Sequence, residues 1–374
     1  MVPALAATAV SAAFTALHGA ERTELEHRLT KWKTLFGPVA QANGFAPASL
    51  SLTSHTDMEL LRFHETTVAV REAAAANPLA TFTEFNQFAL LSAQEFKQVL
   101  VQSFGNETFD AAPLPASGTA KQTSVDWSSH KCNPPVANQG SCGSCWAFST
   151  VGTVEAAHCI ATGDLVALSE QQVVSCSTNG GSMGCNGGFP PSAIDWMQQG
   201  VCLETDWPYT AQTGACNKTC QKVKLSIGKT ITTSGEASLE TALNSQPVTV
   251  VVEAGNNVWR NYKSGVVTQC PGSPSDHAVV AVGYGTSTGN FFKIKNSWGP
   301  QWGDNGYIYL QRGVGGKGMC NVAEGVSYPQ LAGSTPTNGP SPSTPKPLPT
   351  APTTAAPGPT RKPLPDSPPI SDHT

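Results

Sequence analysis

The stretch QGSCGSCWAFS, residues 139 to 149, sets the reading of the whole chain. Ser144 belongs to the residue types that cap helices, Phe148, Val151 and Val154 follow at three-residue spacing, and Gly163 can stop the run. The pattern predicts a helix beginning at Cys145 with its apolar side toward a core. A thiol in the first turn of a helix meets unpaired N–H groups and the positive end of the helix dipole, and both favour the thiolate. A nearby imidazolium would lower the thiol pKa further and leave a nucleophile at neutral or mildly acid pH. Cys142 stands three residues earlier, a spacing that also suits a redox pair. A redox site of that kind follows a strand in a small α/β domain and needs no distant His or Asn. A zinc site needs about four ligands at spacings this chain does not arrange.

The rest of the sequence divides around this motif. All eleven cysteines lie between Cys132 and Cys320, which marks that stretch as the disulfide candidate. Their odd number leaves at least one thiol outside intramolecular pairing, as a thiol enzyme in an oxidising compartment requires. A net charge of -4 without long basic runs gives no footprint for nucleic acid. No run of about 18 or more apolar residues occurs, so no membrane span is expected.

Residues 1–20, MVPALAATAVSAAFTALHGA, have the length and alanine content of a signal peptide but lack a basic start, and an ordinary first helix is the alternative. Cleavage could follow Ala13 or Ala20. Residues 21–40 and 58–102 are charged, rich in Ala and Leu and nearly free of glycine, which reads as helix. The run AAPLPASGTAKQTS, 111–124, is a small-residue linker open to proteolysis. Beyond it, PVTVVVEAG (247–255), HAVVAVGYG (277–285), FFKIKNSWG (291–299) and YIYLQRG (307–313) read as strands divided by glycine. A helix-rich half followed by a β-rich half implies two lobes meeting at a cleft. The thirteen prolines of 331–374, with many Ser and Thr, predict an extended tail.

The 139–149 string resembles the active-site signature of the papain-like cysteine peptidases, in particular cathepsin L-like precursors. The likeness is dense from 124 to 329 and weak before it. It implies an α+β papain-like fold of two lobes, a helical left lobe and an antiparallel β-barrel-like right lobe, preceded by a helical propeptide. The implied division is a signal segment at 1–20, an inhibitory propeptide at 21–115, a peptidase domain at 116–330 and the tail at 331–374. The propeptide likeness rests on FNQFALLSAQEF, 85–96, where Asn86 and Phe88 fit the family pattern and Leu90 replaces an acid.

The resemblance assigns catalysis to Cys145, His277, Asn296 and Gln139. In residue terms, His277 opens a predicted strand, and alternation puts Phe292, Ile294 and Asn296 on one face, an amide ending an apolar row. A buried amide needs partners, and the His277 ring is the partner implied, with Trp298 shielding the bond from water. The Gln139 amide, with the Cys145 N–H, would hold the oxygen of the tetrahedral intermediate. No cofactor or metal is required.

GCNGGFP, 184–190, is the second dense match. Gly187 and Gly188 leave bare backbone for an extended substrate, and Phe189, Pro190 and Ala278 would line the pocket for the second residue before the cut. Gly325 would be its floor, admitting large apolar side chains; a register shifted by one would put Glu324 there and admit arginine. Family-like bridges are Cys142–Cys185, Cys176–Cys216 and Cys270–Cys320. Cys132, Cys159, Cys202 and Cys220 could add two more of open connectivity, and Cys220 could replace Cys216. Asn106 and Asn217 are glycosylation acceptors in a secretory route. The expected molecule is a monomeric endopeptidase of a secreted, lysosomal or vacuolar setting. Its implied partners are protein and peptide substrates, its own propeptide and cystatin-like inhibitors. An exopeptidase and a non-catalytic relative are the rival readings.

Overall fold

The computed structural model describes residues 12–100, 104, 108–114, 122–178, 182–216 and 218–331. Residues 1–11, the 332–374 tail, linker residues 115–121 and both candidate glycan acceptors, Asn106 and Asn217, lie outside the described residues.

The amino-terminal segment folds as α1 (Ala20–Leu35), α2 (Gly37–Ala42), α3 (Asp57–Ala76), β1 (Ala80–Phe82) and α4 (Ala93–Val99). The expectation of helix throughout 58–102 is corrected here. Pro78 cannot continue a helix and drives Asn77 out of helical geometry, to φ -129° and ψ 73°. The Ala-Thr-Phe run then pairs as a strand, and a Ser92–Glu95 capping box restarts the helix. A matching box, Thr56 with Glu59, opens α3. Trp32 is buried with its Nε1 donating to the Asn86 carbonyl at 2.7 Å. Lys33 is also buried, its ammonium held by the Ser51 and Ser54 carbonyls at 2.8 Å and by Glu59 at 3.1 Å.

The remainder carries β2 (Val125–Asp126), α5 (Cys145–Thr162), α6 (Glu170–Cys176), α7 (Pro190–Met197), β3 (Ile227–Thr233), α8 (Glu236–Leu243), β4 (Val248–Val252), α9 (Asn257–Asn261), β5 (Tyr262–Val267), β6 (His277–Thr286), β7 (Asn290–Lys295), β8 (Tyr307–Gln311) and β9 (Val326–Leu331). α5 is buried all round from Cys145 to Cys159 and ends on Gly163 at φ 89°, a left-handed cap. On one side it joins Val173, Ile194, Met197 and Val201 in a helical core. On the other it meets the sheet at β4, β6 and β9. The sheet has its own core around Leu243, Val250, Phe292, Ile294 and Leu310, continuous with Trp32, Phe63, Phe88 and Phe96 of the amino-terminal segment. Two cores with one shared helix make the two lobes.

The sheet runs β1-β5-β8-β7-β6-β4-β9-β3, with β2 added on β6. This order overturns the expected antiparallel β-barrel-like lobe. The path is open, because its two end strands pair only inward, and β5 lies parallel to β8. One end is β1, a strand that the amino-terminal segment lays antiparallel on β5, with Ala80 opposite Gly265. The other end is β3, which reaches out to pack under α7 in the helical lobe. With its edges turned to different partners, the sheet has no seam to close.

Five disulfides brace the fold: Cys132–Cys159, Cys142–Cys185, Cys176–Cys216, Cys202–Cys220 and Cys270–Cys320. Cys220 takes Cys202 as partner and does not replace Cys216. Among the described residues, no helix is long and apolar enough to cross a membrane.

Candidate active site

Cys145 is the first residue of α5, buried, and is the cysteine outside the five bridges. Ser144 occupies the N-cap position but makes no capping bond; its hydroxyl lies 2.6 Å from the Tyr209 phenol instead. Cys145 shares a small apolar cluster with Val251 and Ala278 of the sheet lobe and with Phe104 and Phe109. Ala278 follows His277, so the strand that begins with the histidine meets the helix that begins with the thiol.

His277 opens β6 opposite Val252, and Asn296 stands one residue past the end of β7. The His277 Nε2 lies 2.8 Å from Asn296 Oδ1, an acceptor that also receives the Ser297 N–H at 2.8 Å. An amide oxygen only accepts, so the ring proton belongs on Nε2. Nδ1 is then the lone-pair nitrogen, buried and without a hydrogen bond among the described residues. Burial pushes the His277 pKa down to about 4, against the opposing pull of the Asn296 bond. Trp298 lies parallel to the ring.

Gln139 is buried. Its backbone N–H donates to the Ser297 carbonyl at 2.9 Å. Its side-chain oxygen accepts from Ser297 Oγ at 2.6 Å, and its side-chain nitrogen donates to the Cys142 carbonyl at 3.0 Å. These bonds fix which end of the amide is the donor and turn it toward the start of α5.

Gly187 has φ 112°, a region that favours glycine. Gly188 is glycine for packing, since a Cβ there would stand 2.4 Å from the Trp146 ring. Phe109 of the amino-terminal segment sits 5.2 Å from Phe189, ring to ring, and a Cβ on Gly325 would meet it at 2.5 Å. Thr232, Thr233, Val326 and Ser327 complete that cavity, together with Pro191. Pro190, expected in this lining, is instead buried as the first residue of α7. Glu324 turns away to Lys317 and Ser275.

A model of the papain family cysteine proteases matches residues 121–330. The chain belongs to this family. Oryzain beta chain of Oryza sativa subsp. japonica is 39% identical over 275 residues, 71% of this chain and 57% of its own length. Chymopapain of Carica papaya is 42% identical over 65% of this chain and 72% of its own. The match covers 52% of the probable cysteine protease RD21B of Arabidopsis thaliana, so this chain spans little more than half the length of some relatives. Among solved structures, the proform of the ragweed pollen cysteine protease Amb a 11 superposes with a TM-score of 0.72 at 28% identity, covering 84% of this chain and 96% of that one. Digestive procathepsin L 3 of Tenebrio molitor gives 0.67 at 28% identity over 82% and 99%.

Within this papain-family frame, four residues carry no signal in the sequence. Tyr209, in an ordinary Trp-Pro-Tyr turn, donates to the Gln139 carbonyl at 2.8 Å. Phe104 and Phe109 precede the linker without any periodic pattern. Ser297 lies inside the Lys-Asn-Ser-Trp-Gly string, where its neighbours draw the reading. A buried charge cluster sits behind the site: Glu155, Glu170 and Lys295 border a small cavity with Ala278, Asn296 and Ser297. Burial pushes Glu155 up to about 7 and Lys295 down to about 8, each opposed by the other's charge. Burial and the charges of Glu155 and Glu204 hold Glu170 well above the usual carboxylate range.

Proposed function

We propose that this chain is the precursor of a cysteine endopeptidase that hydrolyses peptide bonds through a thioester. The observation that carries the reading is the His277–Asn296 bond, which leaves Nδ1 as the lone-pair nitrogen, on the residue that precedes Ala278, itself packed with Cys145. In this mechanism His277 Nδ1 takes the Cys145 proton, and the thiolate attacks the substrate carbonyl carbon. The Gln139 side-chain N–H and the Cys145 backbone N–H stabilise the resulting oxyanion. Imidazolium then gives its proton to the leaving amine as the C–N bond breaks. Water, deprotonated by the neutral ring, attacks the thioester; the acid leaves and the thiol is restored.

Residues 21–115 act as the inhibitory segment and 116–330 as the peptidase. Support for inhibition comes from four grips on the domain. β1 extends the sheet at β5. Gln87 Nε2 donates to the Trp298 carbonyl at 2.8 Å. The Ala111 and Ala112 carbonyls accept from Ser234 at 2.6 Å and Thr233 at 3.0 Å. Phe109 fills the cavity over Gly325, so the segment's own aromatic ring stands where a substrate's second residue before the cut would go. The cavity's apolar occupant and Glu324's turn toward Lys317 favour large apolar residues there over arginine. Cystatin-like inhibitors would compete for the same cleft. The disulfides suit a secretory, lysosomal or vacuolar setting.

Purified precursor in mildly acidic reducing buffer should be cut within 111–124 and then hydrolyse peptides with Phe or Leu at that second position. The Cys145→Ala chain should do neither. Peptide hydrolysis retained by that variant would remove the mechanism, and a strong preference for arginine would remove the pocket assignment.

A further inference from the structure

Gln139 is held on the sheet side by three contacts to Ser297 and its own loop, as described above. Toward the helical lobe, among the described residues, one hydroxyl holds it. Tyr209 Oη donates to the Gln139 carbonyl at 2.8 Å and lies 2.6 Å from Ser144 Oγ. A phenol has one proton, and a carbonyl can only accept, so that proton points to Gln139. Ser144 therefore donates to Tyr209, its other acceptor, the Cys142 carbonyl, being 3.4 Å away. The result is a directed chain, Ser144 to Tyr209 to Gln139, in which each bond polarises the next. It joins the residue before the Cys145 N–H to the residue that carries the other oxyanion donor.

The phenol is itself anchored. Its backbone N–H donates to Glu204 Oε1 at 2.9 Å, and both the N–H and the hydroxyl of Thr210 reach Gln171 Oε1 at 2.8 Å. Its ring stands edge-on to Phe148 of α5, centroids 4.7 Å apart. Burial raises its pKa, so it stays a donor across the working range.

We propose that Tyr209 is a positioning residue of the oxyanion hole, its hydroxyl setting the spacing between the Gln139 amide and the Cys145 N–H. The inference rests on the peptidase reading. Tyr209 touches no substrate and acts through Gln139.

The test uses the processed enzyme and three variants, Tyr209→Phe, Ser144→Ala and Tyr209→Phe combined with Gln139→Ala. Tyr209→Phe should lower kcat for peptide hydrolysis about tenfold, a fraction of the 10²–10³ lost when such a donor is removed outright, with KM within about twofold. A peptide aldehyde, whose hemithioacetal places an oxygen in the same hole, should lose affinity by the same factor. Alkylation of Cys145 by iodoacetamide displaces iodide and builds no oxyanion, so its rate should stay within about twofold. In the Gln139→Ala background the Tyr209 substitution should add less than about twofold. Ser144→Ala breaks the chain from its far end and should reproduce the kcat loss, which keeps the test alive if Tyr209→Phe folds poorly. Unchanged kcat in both single variants overturns the proposal. Equal loss in hydrolysis and alkylation, or an undiminished loss without Gln139, also overturns it by reducing Tyr209 to a fold contact. A wild-type chain without Cys145-dependent hydrolysis would instead fail the peptidase reading, and this inference with it.

Discussion

The His277 imidazole lies nearly parallel to the Trp298 indole, 24° between planes and 4.9 Å between centroids. Phe88 and Phe96, both from the amino-terminal segment, meet the same indole edge-on at 5.2 and 5.6 Å. One side chain thus stacks on the histidine and receives two rings of the amino-terminal segment.

Trp298→Ala should therefore act twice. Opening the His277–Asn296 bond to water weakens it, and kcat of the processed enzyme should fall at least about tenfold. Two aromatic pairs at about 0.5–1.5 kcal/mol each are lost to the segment. Cleavage of the 111–124 linker by an added protease, measured on the Cys145→Ala chain, should accelerate accordingly. Unchanged linker cleavage would show that Phe88 and Phe96 contribute nothing to docking.

Phe109 and Gly325 make a paired prediction. Phe109→Ala removes contacts to Phe104, at 5.0 Å, and Phe189, and should raise linker susceptibility about 10- to 100-fold. Gly325→Ala puts a Cβ where Phe109 sits, and in the processed enzyme should lower kcat/KM for peptides with Phe at the second position about tenfold or more. Peptides with alanine there should be affected far less, and equal losses would place the pocket elsewhere.

Segment release should depend on acid. The buried His277 ring has a pKa of about 4, and a ring exposed by release of the segment would return toward about 6.5. The covered form thus binds fewer protons between those values, and acid favours uncovering. Linker susceptibility, normalised to an unstructured peptide of the same sequence, should be flat above pH 7. It should rise by at most about tenfold per pH unit below 6.5 and level off near pH 4. A rise in the opposite direction would contradict the assignment of His277 as a buried neutral ring.

The raised carboxylates should pull stability toward mild acid. Glu155, Glu170 and Glu204 all have raised pKa values, mainly from burial. A raised folded pKa gives stability that is full below the unfolded value, about 4.5, and lost as pH climbs through the folded value, about 7 for Glu155. His277, whose lowered pKa favours the folded form as pH rises, pulls the other way, so the carboxylates are read by substitution: Glu170→Gln should raise the urea midpoint more at pH 7.5 than at pH 5. An equal shift at both pH values would contradict the raised Glu170 pKa.

Much of the site could be picked out from the sequence because its chemistry is written locally. The helix start at Cys145, the strand start at His277 and the alternating row ending at Asn296 are legible from a few neighbours, while their joint role rests on the resemblance to the papain-like peptidases. Pro78 marks a break that the charged, glycine-poor composition of 58–102 masks. Pro190 and Pro191 show the limit: the first ends the 184–190 motif, the second follows it, and only the turn of α7 decides which faces the cavity.

Residue type and short-range period fixed the two lobes, the cleft between them and the candidates on each side, since capping, strand alternation and turn formation act over a few residues. Tertiary structure alone decided that the sheet stays open, that Cys202 pairs with Cys220, that Phe109 rests on Gly325 and that Tyr209 reaches Gln139. Each of these depends on groups far apart in the chain arriving together, and on which surfaces they bury when they do, and no local pattern encodes that meeting.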